Sequence, residues 1–186
     1  MTKKLLFSRI EYPSLAELAI YYSDACASLK HYFKGIEEGS IEPIDPALIG
    51  ANKQEFDTVL SLRIEEAKHY SSLALLAFIE AKFRCHYIDI INYRKKGPFL
   101  KIYKNLYYEK KNKVSLEEDI FKIWEKVNMN SKHLTQRLKG AFKYRHWLAH
   151  GRYWSPHFGQ PNYEYFDIYQ MAQETQQMID GGKEVA

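Results

Sequence analysis

The segment 131–154, with the sequence SKHLTQRLKGAFKYRHWLAHGRYW, predicts an amphipathic helix that carries an arginine at the centre of its apolar stripe. At about 100° per residue, six apolar side chains fall within roughly 60° of Arg145 on a helix. They are Leu134, Leu138, Ala141, Phe142, Leu148 and Ala149. A buried guanidinium without a partner is costly, and leucine would serve packing alone. We therefore expect Arg145 to have a dedicated partner or a function.

The rest of the chain also has the pattern of helices, with few helix breakers outside the connections. The further predicted helices are 14–35, 52–93 (either one helix or a broken one), 99–108, 115–127 and 167–179. Ser14 and Ser131 are predicted N-caps, and Ser115 with Glu118 has the form of a capping box. No segment alternates as a strand does. The sequence predicts one all-α domain over 1–186, a bundle of five to six helices with its core over 14–180.

Composition indicates a globular protein of a reducing compartment. The 186 residues are 46% hydrophobic and 27% charged, which favours a packed core over disorder. Cys26 and Cys85 are far apart in sequence, which argues against a disulfide framework. The N-terminal apolar run is too short for a signal peptide, and no stretch approaches the ~20 apolar residues of a membrane span. We expect a cytoplasmic protein with no membrane association.

The net charge of +4 is unevenly distributed along the chain. Segment 94–113 carries eight Lys or Arg and one acid, and segment 126–163 carries seven and no acid. This pattern predicts one basic surface suited to phosphate contacts. Aromatic residues interleaved with the first segment favour base stacking, unless they face the core beneath a solvated lysine-rich face. Lys95, Lys96 and Lys143 are candidate RNA-binding residues in these segments.

The motifs of common nucleotide, zinc and hydrolase sites do not occur in the sequence. It has no glycine-rich phosphate loop, no Cys-x-x-Cys, no His-Glu-x-x-His and no Gly-x-Ser-x-Gly. His146 and His150 share one face of a continuous helix, which is the spacing of paired metal ligands. A metal would need a further ligand, which only distant residues such as Glu80 or Asp89 can offer through the fold. We predict no metal and no cofactor.

The hexapeptide Arg145-His-Trp-Leu-Ala-His150 resembles the signature of the HEPN superfamily (higher eukaryotes and prokaryotes nucleotide-binding domain), an arginine followed after four to six residues by a histidine. His146 agrees with the polar residue that often follows the arginine in that family. Segment 77–84 resembles the helix that packs beside the motif, and the likeness is best over 67–151. Some toxin members carry a tyrosine two residues after the histidine, where this chain has Arg152.

The same spacing occurs three times in this chain, and the context separates the copies. The copy at 63–69 lies within the long second helix, in a charged run that predicts a solvated face. The copy at 152–157 contains a proline and predicts a loop. Only the copy at 145–150 combines a late helix, an arginine on the apolar stripe and a following glycine.

The resemblance implies an all-α homodimer that acts as a metal-independent ribonuclease in toxin-antitoxin or antiviral defence systems. Its implied partners are RNA and an antitoxin or other regulatory protein. Arg145 and His150 are the implied catalytic residues, and His146 is an auxiliary acid or orienting group. Arg152 and Tyr153 are candidate RNA contacts.

Helix geometry bears on how such a site is built. On a continuous helix Arg145 and His150 are about 140° apart around the axis and roughly 7.5 Å apart along it. One chain would then not direct both at one phosphate, so we expect a two-fold dimer to bring two motif helices together. The implied chemistry is transesterification by the 2′-OH of the RNA. His150 would transfer a proton, and Arg145 would stabilise charge on the phosphate oxygens.

Two other functions stay open at this point. Arg145 can form an internal ion pair with Glu80 or Asp89, which is compatible with a non-catalytic HEPN-like module that binds nucleotide, RNA or a protein partner. A generic helical scaffold with a basic face for nucleic acid explains the charge pattern, but it leaves Arg145 and His150 without a role.

Overall fold

The computed structural model describes residues 12–93, 97–111, 113–154 and 163–181, which form an all-α bundle without strands in these ranges. A 3-10 turn spans Pro46–Leu48, and a π-helical turn spans Leu116–Phe121, directly before the fourth α-helix. The six α-helices are α1 (Leu15–Glu37), α2 (Lys53–Tyr93), α3 (Pro98–Lys110), α4 (Lys122–Val127), α5 (Ser131–Ala149) and α6 (Tyr165–Gly181). The prediction of an all-α bundle of five to six helices is confirmed.

Helix α2 is the centre of the bundle and is continuous over 41 residues. Helices α1, α3, α5 and α6 all contact it, α6 and α1 most extensively. Leu75, Leu76, Ile79 and Phe83 on this helix are completely buried, and each such side chain stabilises the fold by roughly 1.5–3 kcal/mol. No glycine or proline interrupts 53–93. Packing of α2 against four other helices further stabilises it as one unbroken helix.

Three predicted N-terminal caps can be compared with the structure. Ser14 and Ser115 are N-caps as predicted, whereas Ser131 is not. Ser14 and Glu17 form a complete capping box at α1. Ser115 accepts a hydrogen bond from the Glu118 N–H, but its own N–H donates to the Asp119 carboxylate at 2.8 Å instead of to Glu118. The prediction that Ser131 caps α5 is wrong. Asn130 occupies the N-cap, and the buried Ser131 hydroxyl donates to the Asn128 carbonyl at 2.7 Å.

The charged run at 63–69 is not the solvated face that the sequence predicts. The half-buried Arg63 pairs with Asp45 at 2.7 Å and lies over the Phe33 ring, beside a small second core. The His69 side chain is 20% exposed and packs edge-on against Trp147 of α5. Tertiary contacts therefore cover this side of α2.

Helix α5 is held by a buried apolar face. Leu138 and Ala141 are completely buried, and the helix contacts α2, α4 and α6. Gly140 allows the Tyr163 ring to approach the helix, since a Cβ at this position would collide with the Tyr163 hydroxyl. The Tyr163 ring stacks on Tyr144 with centroids 5.6 Å apart. The C-terminal half of α5 is thereby fixed in orientation.

Among the described residues, no helix combines the length and hydropathy that a bilayer span needs.

Candidate functional site

The C-terminal half of α5 borders an open cleft of ≈ 640 Å³. Seven of its eight lining residues come from 142–154, and the eighth comes from the π-helical turn that precedes α4. The lining residues are Glu117, Phe142, Lys143, Arg145, His146, Ala149, His150 and Trp154. The cleft thus combines two cations, two imidazoles, one carboxylate and two aromatic rings, and it contains all three predicted catalytic residues.

Arg145 is anchored to the central helix. Its Nη1 lies 2.8 Å from Oε2 of Glu80, and Oε1 of the same carboxylate accepts from Nε of Arg84 at 2.7 Å. The guanidinium carbon lies 5.7 Å from the centroid of the Phe142 ring. The Arg145 side chain keeps 37% of its surface exposed, although its Nε is buried and has no hydrogen-bond partner among the described residues. Of the two internal ion pairs that the sequence left open as an alternative, the one with Glu80 forms, and part of the guanidinium still faces the cleft.

The predicted apolar stripe around Arg145 is buried only over its first part. Leu134, Leu138, Ala141 and Phe142 are buried, whereas Leu148 is half-buried and Ala149 is exposed. Arg145 therefore lies where the stripe leaves the core and becomes the wall of the cleft. This position explains how a charged side chain is accommodated on an apolar face.

His146 and His150 are in contact at the end of α5. Their ring centroids are 4.1 Å apart, and both residues are exposed. His150 is the C-cap of the helix, with φ −100° and ψ 19°, and its N–H still donates to the His146 carbonyl at 3.1 Å. Within one chain, Arg145 and His150 both line the cleft. Whether a second copy completes the site stays a prediction, because lining one cleft does not by itself direct both side chains at one phosphate.

The turn after α5 contributes one aromatic ring, that of Trp154, to the lining of the cleft. The Trp147 indole donates to the Trp154 carbonyl at 2.9 Å, and the Trp154 ring lies 5.9 Å from that of His146. Tyr153 is 82% exposed and packs edge-on against Trp154, with centroids 4.6 Å apart. Tyr153 lies next to the cleft without lining it, and its predicted contact with RNA stays a prediction.

Arg152 binds α2 instead of facing the cleft. Its guanidinium pairs with both carboxylate oxygens of Glu66 at 2.7 and 2.8 Å, and its Nη1 lies 2.7 Å from Nδ1 of His69. Hydrogen bonds from Arg152 lower the pKa of Glu66 below its ordinary value. The backbone of Arg152 has φ 56°, in the left-handed region that disfavours residues with a Cβ. The predicted RNA-binding residue is thus a clamp that holds the turn after His150 against α2.

Glu117 is the lining residue that the sequence did not indicate. It is half-buried, and its carboxylate has no ion pair or hydrogen bond within the described part of the chain. Burial raises its pKa, as does the charge of Glu118, while Lys139 and Lys143 act in the opposite direction. In the sequence it is one of three acids in the first turn of a helix, where acids are common because they complement the helix dipole. Nothing in the sequence therefore distinguishes Glu117 from its acidic neighbours as a residue of the cleft.

The predicted basic surface is smaller than the charge pattern indicates. Four of the seven bases in 126–163, Arg137, Lys139, Arg145 and Arg152, form ion pairs with acids of this chain. Lys143 is exposed, lines the cleft and has no ion-pair partner among the described residues. Lys95 and Lys96 lie outside the described residues. Of the predicted RNA-binding residues that the structure describes, Lys143 lines the cleft, whereas Arg152 and Tyr153 do not.

Within the described ranges, no group of three His, Cys, Asp or Glu side chains is arranged to hold a metal ion. Comparison of the chain with protein-family models, with curated proteins and with solved structures finds no match in any of the three. The functional interpretation therefore depends on the residues of the cleft and on the HEPN-like motif.

Proposed function

We propose that this protein is a metal-independent endoribonuclease of HEPN type, which cleaves RNA by attack of the substrate's own 2′-OH. The observation that carries the proposal is the convergence of Arg145, His146, His150 and Lys143 on one open cleft of ≈ 640 Å³. Two imidazoles supply groups that can accept or donate a proton. Two cations beside them supply the attraction for a phosphodiester.

The reaction needs two proton transfers and charge stabilisation. As O2′ bonds to phosphorus, its proton leaves to a base, and as the P–O5′ bond breaks, O5′ takes a proton from an acid. His150 acts in one of these transfers. Arg145 stabilises the charge that builds on the non-bridging oxygens, a task that suits the planar guanidinium. The products are a 2′,3′-cyclic phosphate and a 5′-hydroxyl, and DNA is not a substrate because it has no 2′-OH.

His146 is the auxiliary group of this proposal. Its ring contacts that of His150 on one side and the Trp154 ring on the other. Such packing orients the imidazole of His150. The biological setting we propose is that of a cytoplasmic toxin or antiviral defence effector, a homodimer controlled by an antitoxin or other regulatory protein.

The ion pair between Arg145 and Glu80 favours a second function. A guanidinium already paired within its own chain has less charge to offer a phosphate in a transition state. The cleft would then belong to a non-catalytic HEPN-like module that binds nucleotide, RNA or a protein partner. The 37% exposure of the Arg145 side chain leaves both functions compatible with the geometry.

RNA cleavage in EDTA separates the two functions. We expect wild type to leave cyclic-phosphate ends, and we expect Arg145→Ala and His150→Ala each to lower the rate by about 10²–10⁴-fold. His133→Ala is a matched control, because His133 is an exposed histidine of α5 that does not line the cleft. Intact RNA with all four folded proteins favours the binding module. Growth arrest on expression, relieved by His150→Ala and not by His133→Ala, is the corresponding test in cells.

A further inference from the structure

Among the described residues that line the cleft, Glu117 is the only carboxylate, and it comes from a different element than the histidines. It belongs to the π-helical turn Leu116–Phe121, whereas His146 and His150 belong to the end of α5. The cleft therefore presents proton-accepting groups from two separate walls.

The in-line geometry of transesterification makes this arrangement informative. O2′ and O5′ lie on opposite sides of phosphorus during the displacement, so the base and the acid must flank the phosphate. His146 and His150 have ring centroids 4.1 Å apart, which is van der Waals contact and leaves no room for a phosphate between them. In this arrangement the two histidines of one chain do not flank a phosphate. Glu117 and one histidine line the cleft from different elements and can flank a phosphate.

The charges around Glu117 are consistent with a role in proton transfer. Burial and the neighbouring Glu118 raise the pKa of its carboxyl, which brings it closer to that of an imidazole. Lys139 and Lys143 of α5 oppose this shift and keep the carboxylate form accessible. The other charged or titratable groups around the cleft are Arg145, His146 and His150 of α5 and, through its ion pair with Arg145, Glu80 of α2.

We infer that Glu117 is the general base of the proposed ribonuclease, which takes the proton of the ribose 2′-OH, and that His150 is the acid. In the step, the Glu117 carboxylate accepts the proton as the O2′–P bond forms. The P–O5′ bond breaks and the His150 imidazolium protonates O5′. Glu117 ends as a neutral acid and His150 as a neutral imidazole, and proton exchange with water restores both. This assignment depends on the proposed function and goes beyond it by giving each proton transfer to one residue.

The first test is the pH dependence of cleavage. With a carboxylate base and an imidazolium acid, the wild-type rate rises with pH as Glu117 ionises and falls as His150 loses its proton. We expect Glu117→Gln to lose the rise at low pH and to cleave about 10²–10⁴-fold more slowly, and we expect Glu117→Asp to keep the rise at a reduced rate. Glu109→Gln is the control for loss of one negative charge, since Glu109 is exposed on α3 and does not line the cleft.

The second test assigns base and acid by changing the leaving group. An RNA that wild type cleaves is made with sulfur in place of the 5′-bridging oxygen at the cleaved bond, because a thiolate leaves without protonation. We expect this substrate to restore the rate of His150→Ala towards wild type and to leave Glu117→Gln slow.

The outcomes distinguish the inference from the function on which it depends. A folded Glu117→Gln with an unchanged pH profile overturns the inference alone, as does rescue of Glu117→Gln but not His150→Ala by the sulfur substrate. If wild type yields no cyclic-phosphate ends from any RNA at any pH, the proposed function is wrong and the inference goes with it.

Discussion

Arg145 of α5 and Glu80 of α2 form a 2.8 Å ion pair that connects the edge of the cleft to the central helix. The same carboxylate binds Arg84 at 2.7 Å and is only 19% exposed. Glu80 thus sets where the Arg145 guanidinium lies before any ligand arrives. A preoriented cation of this kind requires no reorganisation when charge develops on a phosphate.

Replacement of Glu80 by alanine is expected to destabilise the fold and to misplace Arg145. Two guanidiniums lose their partner, one of them with a buried Nε, so the free energy of unfolding should fall by about 1–2 kcal/mol. Chemical denaturation of Glu80→Ala, Arg145→Ala and the double variant measures the coupling. The effects of the two single variants should not add, and strict additivity would show that the pair contributes nothing.

Two substitutions of Arg152 distinguish the contribution of its ion pair with Glu66 from the cost of its backbone strain. Arg152→Ala and Arg152→Gly both lose the pair with Glu66, but only glycine adopts φ 56° without strain. We expect both variants to be less stable than wild type, with Arg152→Gly more stable than Arg152→Ala by about 1 kcal/mol.

Hydrogen exchange provides a local readout for the same pair of variants. The Arg152 N–H donates to the Trp147 carbonyl at 3.1 Å, and we expect exchange across 150–154 to accelerate in both. Arg137→Ala removes an equivalent two-oxygen pair, with Glu174, from another part of α5 and should leave this segment protected. Equal acceleration in Arg137→Ala would mean that general loss of stability, and not the clamp, is responsible.

Glu117→Gln is expected to stabilise the protein at neutral pH. The folded-state pKa of Glu117 is raised by burial above its ordinary value of 4.5. A carboxyl of this kind costs no stability while it is protonated in both states, and it lowers stability as pH rises through the folded pKa. The Tm difference between Glu117→Gln and wild type should therefore be near zero in acid and positive at neutral pH. A variant less stable than wild type at neutral pH would contradict a cost of ionising Glu117.

Asp119 lies in the same π-helical turn as Glu117, and we expect its contribution to stability to have the opposite pH dependence. Burial alone would raise its pKa, but hydrogen bonds from Lys110 and from the Ser115 N–H outweigh burial and lower it. The stability that it contributes is complete above its ordinary value of 3.8 and is lost as pH falls through the lower folded pKa. Asp119→Asn should be about 1–3 kcal/mol less stable than wild type at neutral pH and nearly equal to it in strong acid.

His146 and His150 are expected to differ in effect although their rings touch. His146→Ala removes an orienting neighbour and should lower RNA cleavage by about 10-fold, whereas His150→Ala removes a proton-transfer group and should lower it by about 10²–10⁴-fold. The measurement is the single-turnover rate at saturating enzyme. A larger loss for His146→Ala would exchange the roles of the two residues.

Local sequence signals were sufficient for the helices. The apolar spacing along 53–93 and the Ser14 N-cap depend on neighbours within one or two turns, and the helix and the cap both appear in the structure. The cap is part of a full box with Glu17, which was not predicted. Ser131 shows the limit of such signals. Its hydroxyl can either accept from a backbone N–H of the first helical turn, as an N-cap does, or donate to the Asn128 carbonyl. In the folded protein the buried hydroxyl donates to Asn128.

The sequence by itself determined an all-α bundle and the one helix end on which Arg145, His146 and His150 lie, because helical periodicity and residue spacing are local properties of the chain. Tertiary structure decided what each of these groups meets. Glu80 and Glu117 reach the motif from 65 and 28 residues away along the chain, and Arg152 is withdrawn from the cleft by Glu66 of α2. Such pairings follow from how helices pack around a shared core, where burial and ion pairing compete between residues that sequence spacing does not relate.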